Sequence, residues 1–331
     1  TRFEVSSMIR IGIDLGTDHI KLVNDEDEIL FDEPCMIALD RNDNVLAIGK
    51  PAAKMKDNTD ETIRVISPFA NGEIDFEALD ALLEQLCYDY RVFRMFQKTI
   101  LVVSYPTNLA YPQREMLKQH LVELGAWRVY FEPEIWISAI GAKIDINLPA
   151  PRCVMNIGSS NCDIAVFSSG RIKAQSSYGI SGHQVDLQLQ KWMRKSFGMN
   201  ISEHEAKRLK RHIGTGREKE KPASWEVKGI DIHTRKPKTV TVDQNMVAAV
   251  LQPLCGMWAN WIYRFLTELD RQQQEDIKRR GIVCCGGTMM LDGLAEAFRD
   301  ALSCPFFVTD HPIHTVPHGL YLLLSRMDET D

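Results

Sequence analysis

The stretch VMNIGSSNCDIAVF (Val154–Phe167) reads as two β-strands folded about a turn. Its apex, Asn156-Ile157-Gly158-Ser159-Ser160-Asn161, is small, polar and rich in donors. An earlier stretch, IRIGIDLGTDHIKLV (Ile9–Val23), has the same shape, with Asp14-Leu15-Gly16-Thr17-Asp18 at its apex. A tight turn of small residues points backbone N–H groups outward, and two such turns facing one another clamp phosphate oxygens. An acidic residue at a strand end holds Mg2+ through its water shell or orients an attacking water. A third feature, VCCGGTMMLDGL (Val283–Leu294), puts Gly286-Gly287 between a strand and a helix. Glycine there lets a flat ring or a phosphate approach the backbone closely. Each motif alone is an ordinary glycine-containing turn; the three in this order and spacing are far less readily accidental.

Around these motifs, strands alternate with helices, which predicts an α/β architecture. A hairpin with its turn at Asn42-Asp43-Asn44 is expected within residues 29–49. DFEALDALLEQLCYDY reads as a helix capped by Asp75, TILVVSYP as a buried strand, and Pro112 as the first residue of a helix closed by Gly125. WRVYF and EIWISAIGAK follow as strand and helix. After the second hairpin, a helix from Gln184 to Phe197 stops at Gly198, and Ser202 with Glu205 forms a capping box for the next, through His212. GTGREKEKPAS (Gly214–Ser224) reads as a solvated loop, WEVKGIDIHTRKPKTVTV as a hairpin, and Gln244–Leu269 as a helix kinked at Pro253. The strand GIVCC, a helix, the strand PFFV and a last helix near Gly319–Arg326 complete the chain. This gives domain I over residues 8–145, with a small subdomain at 33–70. Domain II spans 146–331, with a small subdomain at 186–245, and the last helix packs back on domain I.

The chain has 331 residues, 44% apolar and 25% charged, ample for two domains. A net charge of −6 argues against nucleic-acid binding through bulk charge. No apolar run approaches the roughly 18 residues of a membrane-spanning helix. TRFEVSSM lacks the pattern of a secretory signal, and Met8 is a candidate native start, with Thr1–Ser7 an addition. Eight cysteines without a Cys-x-x-Cys predict reduced, buried thiols rather than disulfides or zinc. His311, His314 and His318 sit among Pro312 and Pro317 and read as a loop into the last helix rather than a ligand set. Met257, Trp258, Trp261, Ile262 and Phe265 read as a core stripe.

Over residues 9–326 the chain resembles the actin-like ATPases shared by actin, sugar kinases and heat-shock chaperones, and within them MreB, the bacterial actin. GIDLGT matches the first MreB phosphate motif letter for letter. DEPCMIALDRNDNVLAIGKPA, NGEIDF, WEVKGIDIHTRKPKTVTV and RGIVCCGGTMMLDGL echo further MreB segments; Ala139–Ala142 (AIGA) and Pro317–Leu320 (PHGL) match its two hinges. The resemblance implies two similar ribonuclease H-like domains around a nucleotide cleft, each with a small subdomain. It implies ATP and Mg2+ as ligands and head-to-tail filaments, with paired protofilaments. The location it implies is the inner face of the cytoplasmic membrane, with cell-shape or wall-synthesis proteins as partners. Carried over by motif, Asp14 serves the metal and catalysis and Glu134 the attacking water. Gly16, Thr17, Asp18, Gly158, Ser159, Ser160, Asn161, Lys207, Lys210, Gly286, Gly287 and Thr288 contact the nucleotide. Met95 and Phe96, flanked by Arg91, Arg94 and Lys98, occupy the loop that dips into the bilayer.

The sequence departs from that pattern at the second phosphate motif. The family aspartate that orients water is Asn156 here, isosteric but uncharged and unable to accept a proton. Ser159 and Ser160 stand where glycines wrap the γ-phosphate; the proline after the catalytic glutamate is Ile135. Lys207 stands where MreB has Glu, and Thr288 replaces the third glycine of the adenosine motif. ATP binding with weakened hydrolysis is the leading expectation. The alternatives are a nucleotide-independent pseudo-ATPase that regulates another MreB and, further off, a sugar-kinase-type enzyme.

Overall fold

The computed structural model describes residues 8–56, 62–69, 73–107 and 109–327. Thr1–Ser7, and Asn71 and Gly72 of NGEIDF, lie outside them. Two compact units result: one takes the chain up to Lys143 and again from His314, the other takes Ile144–Ile313.

The first unit is built on the hairpin β1 (Ile9–Asp14) and β2 (His19–Asn24), extended by β3 (Ile29–Pro34). A three-stranded sheet of β4 (Ile37–Leu39), β5 (Val45–Ile48) and β6 (Arg64–Ile66) follows, with α1 (Gly49–Met55). The expected hairpin about Asn42-Asp43-Asn44 is β4–β5; β3 instead joins the main sheet. α2 (Phe76–Asp89), capped by Asp75 as its spacing predicts, leads to β7 (Thr99–Tyr105). Then come α3 (Tyr111–Glu123), β8 (Arg128–Pro133) and α4 (Glu134–Gly141). Pro112 is the second residue of α3, still in the first turn where its missing N–H costs nothing.

The second unit opens with β9 (Arg152–Ile157), β10 (Cys162–Ser168) and β11 (Arg171–Tyr178), then α5 (Gly182–Phe197), ended by left-handed Gly198. β12 (Met199–Asn200), α6 (Glu203–Ile213), β13 (Ser224–Asp231) and β14 (Pro237–Asp243) come next. α7 (Gln244–Glu268) runs through Pro253, and α8 (Arg271–Arg280), β15 (Ile282–Cys285), α9 (Leu294–Leu302) and β16 (Phe306–Val308) finish the unit. The chain then returns to the first unit as α10 (Thr315–Leu324). α10 begins four residues before the expected start because Pro317 sits in its first turn, where proline is tolerated.

The main sheets have the same order, β3-β2-β1-β7-β8 and β11-β10-β9-β15-β16. In each, a hairpin-led antiparallel trio is followed by two parallel strands. Alternation along β9 sends Cys153, Met155 and Ile157 into one core and leaves Asn156 on the opposite face; β10 likewise buries Cys162, Ile164 and Val166 and leaves Asp163 opposite. Both connections to the second unit leave from the α4–α10 pair, which packs backbone to backbone. A Cβ on Gly141 would lie 1.8 Å from the Thr315 carbonyl, and one on Gly319 2.2 Å from that of Ile137.

The eight cysteines are all buried and unbridged. Trp258 and Trp261 are core residues whose indoles donate to the Ile180 carbonyl and the Ser176 hydroxyl, but Met257 faces solvent. The loop after α6 is more tied down than its charge suggests. Thr215 is buried and donates to the Asp292 carbonyl, and Lys219 pairs with Asp292 at 2.7 Å.

Candidate functional site

Cross-strand registers place a polar row across each main sheet at the turn end of its hairpin. In the first unit the row is Glu132–Ser104–Asp14–Lys21–Asp32, read from β8 to β3. In the second it is Cys285–Asn156–Asp163–Ser177, read from β15 to β11. Directly opposed residues share a face, so each row is a strip of neighbouring side chains.

In the first row Asp14 is buried, and the Lys21 ammonium donates to its Oδ2 at 3.0 Å. Burial works against that ammonium, but the charge and hydrogen bond of Asp14, with Asp32 and Glu134 beyond, hold Lys21 above the ordinary lysine range. A carboxylate neutralised in this way tolerates an approaching polyanion. Burial also pushes the Glu132 carboxyl up. Asp32 accepts from His19 Nδ1 at 2.8 Å and from His314 Nε2 at 3.2 Å. The His19 bond, aided by Lys21 and His314, outweighs burial and holds Asp32 down to about 2. The stability this gives is present above the ordinary carboxylate pKa and is lost as pH falls through about 2. Asp32→Asn should therefore flatten the acid limb between pH about 4 and about 2, by about 1–2 kcal/mol after screening, in urea titrations at stepped pH.

The first turn needs glycine at position 16: a Cβ there would lie 2.2 Å from the His19 carbonyl. Thr17 and Asp18 follow it, half-buried, and Glu134 opens α4 close enough for its charge to act on Lys21.

In the second unit, the Asn156–Asn161 turn is bound to two other segments. The Gly158 carbonyl accepts from Gly182 N at 3.1 Å and from Thr288 Oγ1 at 2.9 Å. The Ser159 carbonyl accepts from His183 N at 2.8 Å and Ser181 Oγ at 2.5 Å. The N-terminus of α5 thus holds the Gly158 and Ser159 carbonyls, and the Gly158 amide closes the hairpin on the Asn161 carbonyl at 2.9 Å. Ser159 and Ser160 take no positive φ, so the turn does not demand the glycines they replace. Gly286, at φ +90°, lies so close that a Cβ would sit 2.2 Å from Asn156 Oδ1. Gly158 and Gly287 are less crowded: a Cβ would approach the Asn161 carbonyl tightly, at 3.2 Å, and an Ile313 methyl at 3.4 Å.

Several expected nucleotide contacts are engaged within the protein. Thr288 is buried, with its hydroxyl on Gly158. Lys210 pairs with buried Asp186 at 2.8 Å and donates to the Gly182 carbonyl at 3.1 Å, tying α6 to α5. Lys207 pairs with Glu203 at 3.2 Å along α6. Met95 and Phe96 lie elsewhere, on the loop into β7 at the opposite end of the sheet from Asp14, and are 83% and 89% exposed. Phe93 of that loop packs inward on Gly125. His314 and His318 bind Asp32 and Asp27 separately, and no metal-holding cluster of His, Cys, Asp and Glu occurs among the described residues. Lys21 and Asp163 were not in the sequence-based set, although each stands seven positions after the residue it faces.

The second unit thus sets Gly286-Gly287 and buried Asp163 beside its turn, and the first sets the buried Asp14–Lys21 pair beside its own; glycine turns of this kind take phosphate groups. Two five-stranded mixed sheets of the same order, each with a small subdomain, define an actin-like fold. The MreB5 structures of Spiroplasma citri bound to AMPPNP and to ADP superpose with a TM-score of 0.88, at 26% identity over 95% of each chain. The MamK double helical filament shares the fold, with a TM-score of 0.81 at 17% identity over 97% of this chain and 100% of that one. The family described as MreB/Mbl protein matches residues 8–331. The cell shape-determining protein Mbl of Bacillus subtilis is 30% identical over 96% of both chains, and MreB of Escherichia coli K12 is 26% identical over 96% of this chain and 94% of its own. The chain belongs to the MreB/Mbl family.

Proposed function

We propose that this chain binds ATP with Mg2+ through its two hairpin turns and assembles head to tail into filaments that organise cell shape or wall synthesis. Hydrolysis is weakened because Asn156 replaces a carboxylate. The observation that carries the reading is the second turn, whose Gly158 and Ser159 carbonyls are gathered onto α5 and Thr288 beside the glycine backbone of Gly286-Gly287. The solved MreB5 relative bound to AMPPNP and to ADP supports it.

In this reading Gly16, Thr17 and Asp18 of the first turn, and Ser159, Ser160 and Asn161 of the second, hold phosphate oxygens through backbone amides, while the Gly158 amide closes its own hairpin on the Asn161 carbonyl at 2.9 Å. Lys21 offsets phosphate charge beside Asp14. Mg2+, when bound, neutralises phosphate oxygens, with Asp14 reaching its water shell. Glu134 orients the attacking water. Gly286 and Gly287 admit the adenosine. Ligand closure favours polymer contacts because it selects one state of the subunit. Pelleting tests this: polymer should form with ATP-Mg2+ or AMPPNP-Mg2+ and fall at least fivefold without nucleotide. Polymer independent of nucleotide would contradict the coupling.

We place these filaments on a membrane through Met95 and Phe96. Their loop exposes two apolar side chains beside Arg91, Arg94 and Lys98, and Lys98 and Arg128 stack on Trp127 at the same end of the sheet. No helix among the described residues is long and apolar enough to cross a membrane, so attachment would be peripheral. Burying both side chains gives about 3–5 kcal/mol gross, and each nearby cation up to about 1 kcal/mol on anionic lipid. Replacing both with serine should cut co-sedimentation with phosphatidylglycerol vesicles at least fivefold, with polymer unchanged. Unchanged vesicle binding would exclude this loop.

A further inference from the structure

We infer that Asp163 is the metal-shell carboxylate of the second turn, doing from β10 what an aspartate at position 156 does from β9; this rests on the nucleotide reading above. Asn156 and Asp163 are in direct register on adjacent antiparallel strands, one pair in from the closing pair Ile157–Cys162. Their side chains share the face opposite the core, so their Cβ atoms stand about 5 Å apart. One bridging water spans that distance, so a carboxylate on either strand can reach the same hydration shell. Asp163 is the only carboxylate of its row, and is 4% exposed. Ser177, opposite it on β11, donates to its Oδ1 at 2.5 Å and fixes its orientation. The first hairpin shows what this position does: Lys21, at the same seven-residue offset, delivers its ammonium to Asp14. The facing pair thus holds one carboxylate in each hairpin, Asp14 on β1 in the first unit and Asp163 on β10 in the second.

The test is ATP affinity of the full chain with and without Mg2+, by titration calorimetry, for the parent and for Asp163→Asn. A carboxylate beside phosphates repels the metal-free nucleotide and holds the metal of the complex. Asp163→Asn should therefore bind metal-free ATP at least as tightly as the parent, while the Mg2+-dependent gain in affinity shrinks at least fivefold. A merely structural role would weaken both alike. Asp163→Glu should keep the gain within about threefold, and it carries the test if the asparagine variant does not fold. A full Mg2+ gain in Asp163→Asn, or equal loss with and without metal, overturns the inference. A parent that binds ATP without any Mg2+ gain overturns it and leaves the nucleotide reading standing. A folded parent that binds no ATP overturns both.

Discussion

Asn156→Asp should raise phosphate release at least tenfold under saturating ATP-Mg2+. The asparagine already lies on the turn-end face of β9, opposite Asp163, and Gly286 hems it in, so a carboxylate of the same shape is held where the amide now is. Asparagine orients water as a donor or acceptor but cannot take its proton. A positioned base is worth about 10²–10⁴ in rate, and tenfold is a lower bound that allows for a proton acceptor elsewhere. The gain has a cost. Two carboxylates directly opposed across a ladder repel, by about 0.2–1 kcal/mol, and each raises the other's pKa. The variant should melt slightly earlier, and its rate should climb further with pH than the parent's. Unchanged phosphate release would show that position 156 does not limit turnover.

Lys21→Met should strongly destabilise the first unit. Lys21 and Asp14 are 11% and 5% exposed, and removing the ammonium leaves a carboxylate buried without its ion partner. Breaking such a pair costs about 3–5 kcal/mol, most of it the penalty of the uncompensated charge. Chemical denaturation should show that loss, and the double variant with Asp14→Asn should recover more than half of it, the signature of a coupled pair. The pH dependence follows from Lys21 being raised in the folded state. Its contribution is whole below the ordinary lysine pKa of 10.5 and fades as pH rises through the higher folded value. Parent and variant should converge only in strong alkali. Equal stability at neutral pH would mean that the pair does not hold the first turn.

Much of this was legible in the sequence, for physical reasons that also mark where reading failed. The two hairpins show in β-branched strands broken by small polar turns, and Asp75 and Gly198 announce helix ends by their chemistry. α8 was missed because RQQQEDIKRR has almost no apolar stripe, although Asp270 and Gln273 cap it reciprocally and Gly281 ends it. The first turn of α10 was hidden by Pro317, read as a breaker where it is a tolerated early residue. β11 went unnoticed because RIKAQSSY is an edge strand with little apolar alternation. Within the site, motif reading stops at the turns, so Lys21 and Asp163 fell outside it; the register that brings them back is a property of paired strands. That Thr288 and Lys210 are engaged with Gly158 and Asp186 depends on packing between segments far apart in the chain.

The central claim is that this chain takes up ATP with Mg2+ although its second turn lacks the usual aspartate. Titration of ATP-Mg2+ into the folded full chain tests it most directly. The account predicts saturable binding to one site per chain, retained in Asn156→Asp. A folded chain that gives no saturable binding at millimolar nucleotide would contradict it.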